Sequence, residues 1–186
     1  GAQIDDEGLE FRGNNRIGNA LQGRGRVNVM SYNRIVLLTG QVATPQDRQL
    51  VEDTAKTLPN ARTIVNEITI GPVTNGGQRA QDAVTSGRVK SVLVGAKDVK
   101  SNAVKVSTEA GVVYLMGIVT QQEGDRAADA ASTVGGVVKV VKVFEVVSPE
   151  AFSTGTVPAS LSAPVQTPTV PAGTTVQPAV RSATTP

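Results

Sequence analysis

The sequence predicts an α+β protein: two αββαβ modules, each a three-stranded mixed sheet with two helices on one face, followed by a disordered C-terminal tail. Three observations predict it. First, Arg26–Val42 and Ala103–Val119 carry the same pattern 77 positions apart, with Val27, Val29, Val36, Leu38, Gly40 and Val42 answering Val104, Val106, Val113, Leu115, Gly117 and Val119. Second, each of these segments is followed by a helical pattern and then by a strand-like run. Third, the composition shifts abruptly from Ser148 onward, where Pro recurs among Ser, Thr, Ala and Val.

The elements follow in order. A helix ending near Ile17, Ala20 and Leu21 opens the first copy, and the sequence pairs these residues with Val89, Val92 and Leu93 in the second. Each repeated segment alternates apolar and polar residues, turns, and alternates again, as a β-hairpin with one buried face does. The turns are read at Tyr32-Asn33 and at Glu109-Ala110-Gly111. The shared Gly40 and Gly117 suit a bulge or a close approach of backbone. Thr44-Pro45 is a cap and first-turn pair for a helix from Gln46 to Leu58, and Gln121 to Val134 is its counterpart. Breaks at Pro59-Asn60 and Gly135-Gly136 precede the closing strands Thr63–Ile70 and Val137–Val147. Strand–helix–strand crossovers are right-handed, so the last two strands of each copy run parallel. The boundaries are 5–72 for the first module, 75–147 for the second and 148–186 for the tail. Its prolines deny helix and ladder hydrogen bonds, and little apolar bulk remains to offset ordering entropy. A Pro-rich ligand or wall spacer is the functional alternative for that stretch.

Composition narrows function. The 186 residues contain no Cys and no His, which removes disulfides, thiol chemistry and the commonest general base. No cofactor is expected, and Asp or Glu would have to make any metal site alone. Asp5, Asp6, Glu7 and Glu10 are read as favouring the dipole of the first helix, and Glu123, Asp125 and Asp129 that of the last. Gly23-Arg24-Gly25-Arg26 follows a helix rather than a strand and is read as a turn, not a phosphate loop. Without His or a Lys partner no Ser or Thr is activated, so the chain is read as non-catalytic. The net charge is +2, with the excess in the second module; a dense basic stripe and stacking aromatics are both missing, so no nucleic-acid partner is expected.

Two αββαβ units with hairpin strands VLLTGQV and VYLMGIV, and with Val65, Asn66, Glu67 and Ile68 closing the first, resemble tandem BON domains. A pair covering nearly all of residues 5–147 is similar to the dual-BON outer-membrane lipoproteins of Gram-negative bacteria. The resemblance implies an N-terminal lipidated Cys upstream of Gly1 and a place at the outer membrane, facing the periplasm. It also implies an envelope-integrity role and anionic phospholipid, such as phosphatidylglycerol or cardiolipin, bound by the first helix of the second module. Carried onto this chain, that helix lies within Val84–Lys97. Val89, Val92, Leu93 and Ala96 then form the buried face, and Val84, Gly87, Arg88, Lys90, Ser91, Val94 and Lys97 the lipid-binding face. Family members often carry an aromatic on this helix; here there is none. The first module joins its helix to its hairpin by a shorter loop, which predicts that the modules differ in function. The alternatives are a soluble periplasmic osmotic-stress BON protein and an adaptor that binds envelope proteins through sheet edges or the tail.

Overall fold

The computed structural model describes residues 2–150 together with 176–177. Two compact units meet between Asn75 and Gly76. In the first, α1 (Ala2–Leu21) leads into β1 (Gly25–Tyr32), β2 (Ile35–Val42), α2 (Pro45–Ala55), β3 (Thr63–Asn66) and β4 (Thr69–Ile70). In the second, α3 (Gly76–Gly95) leads through a short 3-10 turn into β5 (Val104–Glu109), β6 (Val112–Val119), α4 (Gln121–Ser132) and β7 (Lys139–Val146). Val176–Gln177 forms β8. The rest of the tail segment 151–186 lies outside the described residues.

The duplication is a duplication of structure. β1 and β2 are antiparallel from Gly25↔Val42 to Tyr32↔Ile35, and β5 and β6 from Val104↔Gly117 to Glu109↔Val112. Each hairpin therefore closes through two residues. In the first these are Asn33-Arg34, one position later than the sequence reading placed them, with φ of 49° and 63°. In the second they are Ala110 and Gly111, at 51° and 81°. Two successive left-handed residues make the turn whose twist matches that of the flanking strands. Asn33 tolerates this conformation, which is why the turn falls there.

The crossover strands run parallel as expected, β3 beside β2 and β7 beside β6. The sheets are larger than the three strands expected. The closing strand of the first unit is interrupted: Asn66 Oδ1 accepts from Ile68 N, and Glu67 N donates to Leu38 O, so pairing resumes only at β4. Arg48 on α2 holds the break by donating to the carbonyls of Asn66 at 2.8 Å and Ile68 at 3.0 Å. In the second unit β7 runs unbroken, and β8 pairs with its outer edge at Val140↔Gln177 and Val141↔Val176.

Gly40 and Gly117 have one shared cause. A Cβ on Gly40 would overlap the carbonyl oxygen of Arg26 on the paired strand, and one on Gly117 that of Ala103, just before the paired strand. Gly40 also has φ +124°, a region few L residues enter. The close approach expected at this position is thus what the glycine serves.

Helix ends follow local chemistry. Thr44 Oγ1 accepts from Asp47 N at the start of α2, and Thr120 with Glu123 forms a capping box at the start of α4. Each unit packs its helices on one sheet face. Leu9, Ile17, Val36, Leu38 and Val51 centre the first core, and Val89, Leu93, Val113, Leu115 and Phe144 the second. On α4 buried Ala127, Ala128 and Ala131 face this layer, and a Cβ on Gly124 would come within 3.1 Å of the Phe144 ring. The hairpins were expected to bury one face only. All eight residues of β2 are buried, as are Tyr114 and Met116 on the far face of β6. The near-continuous apolar run IVLL is what a strand covered on both sides looks like, and strict alternation was the wrong template for it.

Candidate functional site

The first helix of each unit is fixed by a buried carboxylate that sequence reading assigned to another role or passed over. Asp6 lies in the acidic start of α1, yet it is 9% exposed and points at the β1–β2 turn. Its Oδ1 accepts from Ser31 Oγ at 2.6 Å and Arg34 N at 2.7 Å, and its Oδ2 from Asn33 N at 2.8 Å. Asp82 does the same on α3, accepting from Ala110 N at 2.9 Å and Gly111 N at 3.0 Å. Dipole stabilisation therefore does not explain Asp6. The turn leaves two successive N–H groups facing inward, and a carboxylate accepts both.

These two aspartates, 76 positions apart, set the correspondence of the helices. Leu9, Gly13 and Ile17 match Thr85, Val89 and Leu93, all buried. The sequence reading had matched Ile17 with Val89, one helical turn off. A shift of four residues keeps an apolar face on the same side, so periodicity alone cannot choose between the two registers. The shorter connection in the first unit does hold: three residues separate α1 from β1, against residues 96–103 between α3 and β5.

α3 starts at Gly76 and ends at Gly95. Its buried stripe is Asp82, Thr85, Val89 and Leu93, while Val92 and Ala96 are only half-buried. All seven of the expected lipid-facing residues are exposed. Val84, Gly87, Ser91 and Val94 follow at i, i+3, i+7 and i+10 along the outer face, with Val84 46% and Val94 72% exposed. Arg88 and Lys90 flank that face on opposite sides, since two residues rotate a helix by about 200°. Lys97 is not on the helix: it sits in the following turn, one residue before Asp98, whose carboxylate pairs with Arg126 of α4 at 3.6 Å. Gly95 and the left-handed Asp98 end the helix before Lys97.

The electrostatics of this face are one-sided. From Ala83 to Lys97 there are three cations and no carboxylate. The nearest acid on α3, Asp82, is turned inward onto the β5–β6 turn. Ser91 Oγ is held by Gly87 O at 3.1 Å. Along one side of the face runs an open groove of about 500 Å³, between α3 and the end of α4. Val84, Gly87, Arg88 and Ser91 line it with Val92, Val134 and Gly135. Lys90, Val94 and Lys97 stand outside it. The three additional lining residues were not singled out as site residues. The spacing 84, 87, 88, 91, 92 marks the α3 wall in the sequence, but nothing local marks the opposite one.

Among the described residues no group of three or more acidic side chains could hold a metal ion, and no helix is long and apolar enough to cross a membrane. A duplicated αββαβ unit with an outward-facing basic helix defines a class of tandem small modules. The BON domain model matches residues 5–72 and 81–148, and the chain belongs to that family. It is 41% identical over 147 residues to the outer membrane lipoprotein DolP of Haemophilus influenzae, covering 78% of this chain and 76% of that protein. It is 37% identical over 149 residues to a 21 kDa hemolysin of Actinobacillus pleuropneumoniae, covering 79% and 77%. The osmotically-inducible protein Y of Escherichia coli is 29% identical over 117 residues, covering 61% of this chain and 58% of that protein.

Proposed function

We propose that the chain is a non-catalytic module pair of an outer-membrane lipoprotein, docking on anionic phospholipid through the outer face of α3 and supporting envelope integrity. The observation that carries this reading is the pairing of Val84 and Val94, both well exposed, with Arg88 and Lys90 on either flank and no acid between Ala83 and Lys97. Apolar groups at the centre and cations at the margins are what an interfacial helix needs, since valines enter the headgroup layer while cations meet phosphates. The similarity to a lipoprotein over most of both chains supports the location at the outer membrane. The module acts by position rather than by reaction: it holds a surface, and whatever is attached to it, against the periplasmic leaflet.

The energetics are modest. Each cation near an anionic surface contributes about 1 kcal/mol, so reversing Arg88 and Lys90 removes at least ~2 kcal/mol, roughly a 30-fold loss. The test is co-sedimentation with vesicles of phosphatidylglycerol against phosphatidylcholine. The wild-type chain should pellet with the former only, and Arg88→Glu with Lys90→Glu should abolish pelleting. Unchanged pelleting of that variant would remove α3 as the docking face.

A further inference from the structure

The outer strands of the two sheets are guarded differently. An edge strand presents a row of N–H and C=O groups with which another strand can pair, and a long, apolar edge invites self-association. β1 is shielded in part by α1, whose Asn14 Oδ1 accepts from Val29 N at 3.2 Å. β3 and β4 are short, and the break between them interrupts pairing. β5 is six residues long and carries Lys105, Ser107, Thr108 and Glu109. β7 is the long apolar edge: KVVKVFEV runs eight residues without a bulge or a proline, and five of them are Val or Phe.

Val138 N donates to Gly111 O, on the β6 side. Backbone groups alternate sides along a strand, so Lys139, Val141, Val143 and Glu145 turn their N–H and C=O groups outward. Among the described residues only Val140 and Val141 are paired on that outer side, with β8. Pro178, directly after Gln177, has no N–H with which to extend the ladder. Exposed valines stand at both ends of the edge: Val138, 67% exposed, just before β7, and Val146, 52% exposed, at its end. An antiparallel copy of the same edge fits it in the register Lys139↔Glu145. That register sets Val138 opposite Val146, Val140 opposite Phe144 and Val141 opposite Val143, with opposite charges facing each other near both ends. Lys142 meets its own counterpart, and each is already tied to Asp125 at 2.9 Å.

We propose that the outer edge of β7 is a strand-acceptor site whose partner is the same edge of a second copy of this chain, and that β8 closes it in cis. Strand addition draws its affinity from main-chain hydrogen bonds, so an edge that takes one extended segment can take another. Tethering favours the tail. A segment on the same chain competes as though present at about millimolar concentration, which keeps the intact chain monomeric at micromolar concentration. Two residues are a light fastening, so whatever draws the tail away opens the edge. The site lies on β7 and does not depend on the reading of α3.

The experiment uses the full chain carrying Val176→Pro with Gln177→Pro, which removes both tail N–H groups from the pairing and touches neither core. The melting temperature should match that of the wild type. At ~500 µM, below the effective concentration of the tethered strand, light scattering after size exclusion should give a monomer for the wild type and a dimer for the variant. Exchange of the Val141 amide identifies the surface. At ~10 µM, where the variant is monomeric, this amide should exchange about tenfold faster than in the wild type, and at ~500 µM it should be slow again. A variant that stays monomeric throughout overturns the proposal. So does a dimer in which Val141 still exchanges fast, since the two copies then meet elsewhere. Equal Val141 exchange in both chains at low concentration, or a wild type that dimerises as readily as the variant, would show that β8 closes nothing.

Discussion

Asp82→Ala isolates the contact that joins the first helix of the second unit to its hairpin. In the wild type Asp82 is 5% exposed and accepts from Ala110 N and Gly111 N, at 2.9 and 3.0 Å. Alanine leaves both donors without a partner, and Ala110 without the bond that holds it at φ 51°. A buried donor left unsatisfied costs about 1–3 kcal/mol. Ala110 N is only part-buried, so water recovers some of its share, and the sum comes to roughly 2–4 kcal/mol. The third partner, Gln78 Nε2 at 2.8 Å, lies nearer solvent and adds little. For a module of this size each kcal/mol lowers the melting temperature by about 4–8 °C, so a fall of roughly 10–25 °C is expected. Urea unfolding followed by far-ultraviolet circular dichroism gives the free energy, and amide exchange at Ala110 and Gly111 reports the turn itself. Asp82→Asn keeps one acceptor oxygen and should fall between the two. A loss below ~0.5 kcal/mol for Asp82→Ala, typical of an ordinary surface change, would refute the reasoning.

Other outcomes follow from the same geometry. Gly40→Ala should be strongly destabilising, about 3 kcal/mol or more, because the added Cβ overlaps the Arg26 carbonyl in a glycine-only conformation; chemical denaturation measures it. Thr120→Ala removes one half of the capping box and should cost ~1 kcal/mol, read as a lower urea midpoint with unchanged slope. Lys142→Met breaks the 2.9 Å pair with Asp125, whose side chain is half exposed, and should stay within about 1 kcal/mol of the wild type in the same assay. Raising salt from 0.05 to 0.5 M should sharply weaken vesicle binding while leaving the thermal midpoint nearly unchanged, since the docking charges are exposed and the cores are aliphatic.

Much of this molecule was readable in the chain. The repeated VLLTG and VYLMG strands, the helix caps and the parallel closing strands come from short-range patterns: alternation, a hydroxyl before Pro45, and Gly at one fixed place in each copy. The exposure of the six expected residues that lie on α3 followed from helical spacing as well. Other features were out of reach. The aspartate clamp joins residues 27 to 29 positions apart, and acidic residues near a helix start have a ready local explanation that conceals it. The pairing of α1 with α3 slipped by one turn because a four-residue shift leaves the apolar face on the same side. Lys97 was placed on the helix because its spacing continued the pattern past the point where Gly95 ended it.

Near-neighbour patterns specify what each segment is and that the unit occurs twice, because periodicity, capping and turn chemistry act over a few residues. Long-range packing settles which carboxylate faces inward, which strand is buried on both faces, and which edge of the basic helix stands across from Val134 and Gly135. Those depend on groups far apart in the chain arriving within hydrogen-bond or packing distance, and no local pattern carries that information.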